Sequence, residues 1–155
     1  MPTLLIVHHT SSPALEAMFD AVVAGAGDPE IEGVDVVRRP ALAATAVDVL
    51  AADGYLLGTP ANIGYMSGAL KHFFDQVYYP CLDATGGRPY GCYVHGNLDV
   101  TGAVRAIESI ATGLAWRRAC RPVTVLGAPG PADLSACREL GATLAAGLTL
   151  DTGRS

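Results

Sequence analysis

Apolar residues run without alternation through residues 3–8 (TLLIVH), the pattern of a strand buried on both faces of a parallel sheet. Leu15, Met18, Phe19, Val22 and Val23 then recur at helical spacing until Gly25 and Gly27 end the segment. A second strand is predicted over residues 34–38 (VDVVR), followed by an alanine-rich, partly helical stretch over residues 41–52. Residues 54–58 (GYLLG) repeat the buried-strand pattern, and the Pro and Gly residues of TPANIGYMSG predict a loop in which neither regular structure continues. Ser67 is placed to cap a helix whose buried face is Leu70, Phe73, Phe74 and Val77 and which ends near Tyr78. After a turn-rich link through Gly86, Gly87 and Pro89, residues 90–95 (YGCYVH) predict a fourth strand, and Val100, Val104, Ile107, Ala111 and Leu114 the face of the next helix. Residues 122–127 (PVTVLG) predict a fifth strand. A last helix starts near Pro131 with Leu134, Cys137, Gly141, Leu144 and Leu148 on one face.

Strands that alternate with helices in this way imply right-handed crossovers and a three-layer α/β fold. The expectation is a single domain over residues 1–150 with a polar tail over residues 151–155. In such sheets ligands bind beyond the carboxyl ends of the strands, where the strand order reverses. The loops after His8, Gly58 and His95 are therefore the candidate site.

Composition narrows the class. Of 155 residues half are apolar and 16% charged, which excludes a disordered chain and fits one domain. The net charge of −5, with no Arg or Lys before Arg38, argues against a nucleic-acid surface and against a charged signal-peptide start. The charge-free stretches, residues 1–15 and 55–70, contain His, Asn, Pro and Gly, so no membrane-spanning helix is expected. Cys81, Cys92, Cys120 and Cys137 form no CxxC pair, and His8 and His9 lack carboxylate or Cys partners at ligand spacing. Reduced thiols, no metal site and a cytoplasmic location are the expectation.

The first loop carries three consecutive hydroxyls at a helix start. The Thr10, Ser11 and Ser12 hydroxyls with the Ala14 and Leu15 amides can hold a phosphate; the simpler reading is an ordinary helix start, with Ser12 as cap and Pro13 in the first turn. Familiar alternatives fail at named positions. There is no GxxxxGK[ST], no GxGxxG after the first strand and no GxSxG elbow, and no cysteine is followed six positions later by Arg. The first and third strands end in His8-His9 and Gly58-Thr59, where a phosphoacceptor domain needs acidic residues.

Residues 54–77, GYLLGTPANIGYMSGALKHFFDQV, carry a strand ending in Gly58-Thr59-Pro60, then Gly64-Tyr65-Met66-Ser67-Gly68, then Lys71-His72-Phe73-Phe74-Asp75-Gln76. This segment resembles the flavodoxin-like flavoproteins, in particular the NAD(P)H:quinone oxidoreductase and NADPH-dependent FMN reductase branch. The resemblance implies a five-stranded parallel sheet of order 2-1-3-4-5 and bound FMN. It implies that Thr59, Pro60, Ala61, Asn62, Ile63 and Gly64 lie along the flavin ring with Tyr65 and Met66 nearby, and that His95, Gly96 and Asn97 meet its pyrimidine edge. Structural roles compete at each position: loop packing for Tyr65 and Met66, a strand-end hydrogen bond for His95, a helix cap for Asp99 and helix-end complementation for Arg117, Arg118 and Arg121. The family's first loop is similar to [ST]-x-[ST]-G-x-[ST]. Thr10 and Ser12 match it, whereas Pro13 replaces the glycine and removes an N–H, and Leu15 replaces the last hydroxyl.

The expected function is an FMN-binding oxidoreductase that passes electrons from NAD(P)H to a quinone or other small acceptor, acting as a homo-oligomer, a dimer or tetramer. The alternatives are a flavodoxin-type electron carrier and a flavodoxin-like binding module that has lost FMN.

Overall fold

The computed structural model describes residues 1–152. The elements are β1 (Thr3–His8), α1 (Pro13–Ala26), β2 (Asp35–Pro40), α2 (Ala46–Ala51), β3 (Gly54–Asn62), β4 (Tyr65–Met66), α3 (Gly68–Cys81), β5 (Pro89–Gly96), α4 (Thr101–Gly113), β6 (Arg117–Arg118), β7 (Val123–Leu126) and α5 (Pro131–Thr152). The polar tail expected over residues 151–155 begins inside α5, and its last three residues lie outside the described residues.

The sheet runs β2-β1-β3-β5 and ends in a position shared by two short segments, β6 beside the start of β5 and β7 beside its end. Counted by position this is the expected order 2-1-3-4-5, and every pairing along it is parallel. Continuous apolar strands require cover on both faces. One face packs Leu5, Val7, Tyr55, Leu57 and Cys92 against Val49, Leu70, Phe73, Phe74, Val77, Ile107 and Ala111 of α2, α3 and α4. The other packs Leu4, Ile6, Leu56 and Tyr93 against Leu15, Met18, Val22, Cys137, Leu140 and Leu144 of α1 and α5. On that side α1 and α5 touch through backbone: a Cβ on Gly25 would lie 1.8 Å from Arg138 O, and one on Gly141 2.1 Å from Val22 O.

Four local expectations are corrected. The stretch TPANIGYMSG is a β-hairpin, because β3 continues to Asn62 and pairs antiparallel with β4. Its two-residue turn, Ile63-Gly64, has φ of 50° and 72°, the left-handed backbone that a tight hairpin needs. The second strand starts and ends later than predicted because its register follows β1, with Thr3 opposite Asp35 and His8 opposite Pro40. Helix α3 runs past Tyr78 to Cys81 with Pro80 in its last turn. The fifth strand is interrupted: Arg117 and Arg118, predicted to complement a helix end, form β6, where Arg117 N donates to Arg88 O.

Candidate functional site

At the carboxyl ends of β1, β3 and β5, which are neighbours in the sheet, three segments face solvent side by side. The first is the β1–α1 loop. His9 N donates to Gly58 O (2.9 Å), fixing the loop's entry to β3. Ser12 caps α1, accepting from Leu15 N (3.2 Å), and Pro13 occupies the first turn. The Leu15 amide is therefore engaged within the cap and its side chain is buried, whereas Thr10 and Ser11 are exposed. Thr10 Oγ1 lies 2.7 Å from His8 Nδ1, and the His8 ring packs edge-on against Phe19 with centroids 4.0 Å apart. Burial, then the Arg38 and His9 charges, hold the His8 pKa below its ordinary value. His9 Nδ1 is buried with no hydrogen-bond partner among the described residues.

The second segment is the β3–β4 hairpin. Its root is closed: the Thr59 hydroxyl is fully buried, donates to Pro60 O (2.8 Å) and accepts from Ser67 N (3.0 Å). Ser67 in turn caps α3 by accepting from Leu70 N (3.2 Å). Pro60 is buried and Ala61 half-buried, while Asn62, Ile63, Gly64 and Tyr65 are exposed. The Met66 side chain belongs to the core beside Leu70 and Phe73. The tip rests on α4, where a Cβ on Gly102 would lie 1.9 Å from Gly64 O. Glycine at 102 is thus what lets the hairpin reach the helix.

The third segment follows β5. His95 is buried and its Nε2 is 2.8 Å from Gly127 O, so its ring ties β5 to the loop after β7. Gly96 is buried against Ala61 and Val100, and Asn97 and Leu98 are exposed. Asp99 Oδ1, two residues before α4, accepts from Thr101 N at the helix start (2.9 Å), and this bond pulls the carboxyl below its ordinary pKa.

The structure thus gathers all three predicted loops but sorts their residues. Thr59, Met66 and His95 are engaged in the fold, while Thr10, Ser11, Asn62, Ile63, Gly64, Tyr65 and Asn97 are open to solvent. Two participants were not predicted. His8 holds Thr10, a contact no spacing reveals, and Leu98 is an exposed apolar side chain at the third loop's tip. A groove of about 470 Å³ continues from Val100 and Thr101 along α4 to Arg121 and Thr124.

Part of the 54–77 motif has structural reasons. The Tyr93 ring fills the space a Cβ on Gly58 would take, with Tyr93 Cζ 2.0 Å from that position. Lys71 and Asp75 pair on the surface of α3 at 2.5 Å. No family model matches the sequence. A flavodoxin of Aquifex aeolicus (strain VF5) is 36% identical over 77 residues, covering 50% of this chain and 40% of that protein. An NAD(P)H dehydrogenase (quinone) of Chelativorans sp. (strain BNC1) is 30% identical over a 94-residue alignment, 50% of this chain and 47% of that one. The match therefore spans less than half the length of each of these curated relatives. Among solved structures, a flavodoxin, WrbA-like protein from Agrobacterium tumefaciens superposes over 97% of this chain and 99% of its own at TM-score 0.79 and 18% identity. The flavodoxin of Streptococcus pneumonia TIGR4 superposes over 94% and 99% at TM-score 0.79 and 21% identity.

The chain has the flavodoxin-like fold. Within this flavodoxin-like fold, burial makes the thiols poor nucleophiles, pushing Cys92 of β5 up to about 12 and Cys137 of α5 to about 11. Among the described residues no group of three or more His, Cys, Asp or Glu can hold a metal ion, and no helix is long and apolar enough to cross a membrane.

Proposed function

We propose that this chain binds FMN and serves as an oxidoreductase that passes electrons from NAD(P)H to a quinone or other small acceptor. One observation carries the reading: exposed hydroxyls, a capped helix start and a buried His9 Nδ1 without a partner among the described residues share one loop, beside a hairpin that presents an exposed Tyr65 and Ile63. The donors suit a phosphate and the hairpin suits an aromatic ring, so the residues present fit the group. The similarity to the Chelativorans NAD(P)H dehydrogenase (quinone) supports the choice of reaction.

In this reading Thr10, Ser11, Ser12 and the Ala14 amide hold the phosphate. Asn62, Ile63, Gly64 and Tyr65 wall the ring, with Ala61 at its base, and Gly96 and Asn97 offer backbone and amide groups to its polar edge. Thr59, Met66 and His95 act at one remove, by fixing the hairpin and the third loop. Bound flavin supplies the redox chemistry, accepting a hydride and releasing electrons. The protein's contribution is to orient that ring and leave one side of it open, so no side chain need act as acid or base.

A second reading, an electron carrier without NAD(P)H turnover, is supported by the similarity to the Aquifex flavodoxin. FMN titration followed by steady-state NAD(P)H oxidation with a quinone separates the two. Saturable flavin uptake with quinone-dependent turnover is the expected result. Uptake without turnover favours the carrier, and a protein that takes up no FMN overturns both.

A further inference from the structure

We infer that His8 is a positioning residue that sets the polarity of the Thr10 hydroxyl, donating Nδ1–H to Thr10 Oγ1 so that Thr10's own proton is free for an anionic oxygen. The inference rests on the phosphate reading of the first loop.

Proton supply decides what Thr10 can offer an anion. A threonine hydroxyl has one proton to give and lone pairs to receive. With the His8 proton on Nε2, Nδ1 would be an acceptor. The 2.7 Å contact would then consume the Thr10 proton and leave lone pairs facing an incoming anion. With the proton on Nδ1, the same contact orients the hydroxyl and polarises its O–H outward, and hydrogen bonds in such a chain strengthen one another. An anion in the loop therefore selects the Nδ1–H form.

This chain is short of donors at the place where the relay operates. Pro13 has no N–H, and the Leu15 N–H is engaged by Ser12 Oγ, so the Thr10 proton joins a small set made of the Ser11 and Ser12 hydroxyls and the Ala14 amide. The ring is held for the task. Phe19 of α1 packs edge-on against it, the His8 backbone is locked between β2 and β3, and the Arg38 cation of β2 stands near it. Arg38 and His9 are the charged or titratable groups whose field reaches the ring. Burial first, then these two charges, push the ring toward its neutral form, in which the choice of tautomer matters.

The test compares FMN with riboflavin, which has the same ring and no phosphate, by flavin fluorescence quenching. It uses the full chain and the variants His8→Phe and His8→Asn. Phe keeps a ring against Phe19 and removes the donor, whereas the Asn amide brings an N–H to the position of Nδ1. Loss of the neutral hydrogen bond that orients the Thr10 hydroxyl predicts that His8→Phe weakens FMN by up to about tenfold and leaves riboflavin within about twofold. His8→Asn is expected to restore the FMN preference to within about threefold of the unaltered protein. Equal losses for both flavins in His8→Phe, or a His8→Asn as weak for FMN as His8→Phe, overturns the inference while the FMN reading stands. If the unaltered protein binds FMN no more tightly than riboflavin, the phosphate reading itself is overturned and the inference with it.

Discussion

The β3–β4 hairpin and the β1–α1 loop are adjacent walls of the candidate site, yet they spend their polar groups in different ways. In the hairpin the buried hydroxyls are answered locally: Thr59 links Pro60 O to Ser67 N, Ser67 caps α3, and the tip rests on Gly102. In the first loop Thr10 and Ser11 are exposed, with Thr10 bonded to His8 and Ser12 to Leu15 N, and His9 Nδ1 has no partner among the described residues. A wall that must stay in place uses its hydrogen bonds on itself, whereas the wall proposed to receive an anion leaves hydroxyls facing solvent.

The largest effect should come from breaking the closed wall. Thr59→Val keeps the side chain's shape but strands the Ser67 amide and the Pro60 carbonyl in a buried setting. Chemical denaturation should show a loss of about 2–3 kcal/mol, the cost of leaving such groups unpaired. A loss as small as that of an exposed threonine would mean that water reaches the hairpin root, and the contrast between the two walls would fail.

A smaller loss is expected on the open side. Ser12→Ala removes the cap of α1 and should cost about 1 kcal/mol in denaturation. It also takes a hydroxyl from the proposed phosphate set, so FMN affinity should fall while riboflavin affinity holds. Thr59→Val has the converse signature, lost stability with both flavins weakened alike. A Ser12→Ala protein that loses both flavins equally would show that the first loop, too, is a structural element.

The distinction between the walls was only half legible in the sequence. The strands at β1, β3 and β5 announce themselves because burial on both faces demands unbroken apolar runs, and the three loops follow from the topology those strands dictate. The hairpin was hidden by its own turn. Pro60, Gly64 and Gly68 read as breakers, yet Pro60 needs no N–H where it sits, and Ile63-Gly64 reverses the chain so tightly that strand pairing resumes at Tyr65. Likewise β6 has no sequence signal: Arg117 and Arg118 are exposed and owe their strand geometry to backbone bonds with the Arg88 and Tyr90 neighbourhood. The His8–Thr10 contact depends on where α1 places Phe19, which no periodicity encodes. Such tertiary choices decided which of the matching residues point outward and which, like Met66, complete the core.

The finest comparison lies within the hairpin, between its closed root and its exposed tip. Ile63 is fully exposed and holds φ at 50°, a conformation that a β-branched side chain adopts at a cost and that Asn or Gly adopts readily. Because nothing in the fold is gained from its side chain, Ile63→Asn should raise stability by about 0.5–1 kcal/mol in thermal or chemical denaturation, the usual benefit of matching a residue to its turn. If Ile63 walls the flavin, the same change should weaken FMN and riboflavin together, because it removes apolar contact with the ring and leaves the phosphate loop untouched. More stability with less affinity is the expected combination: the strained residue would then be there for the ligand. Gained stability with both affinities unchanged would remove Ile63 from the site and leave Tyr65 as the hairpin's contact with the ring.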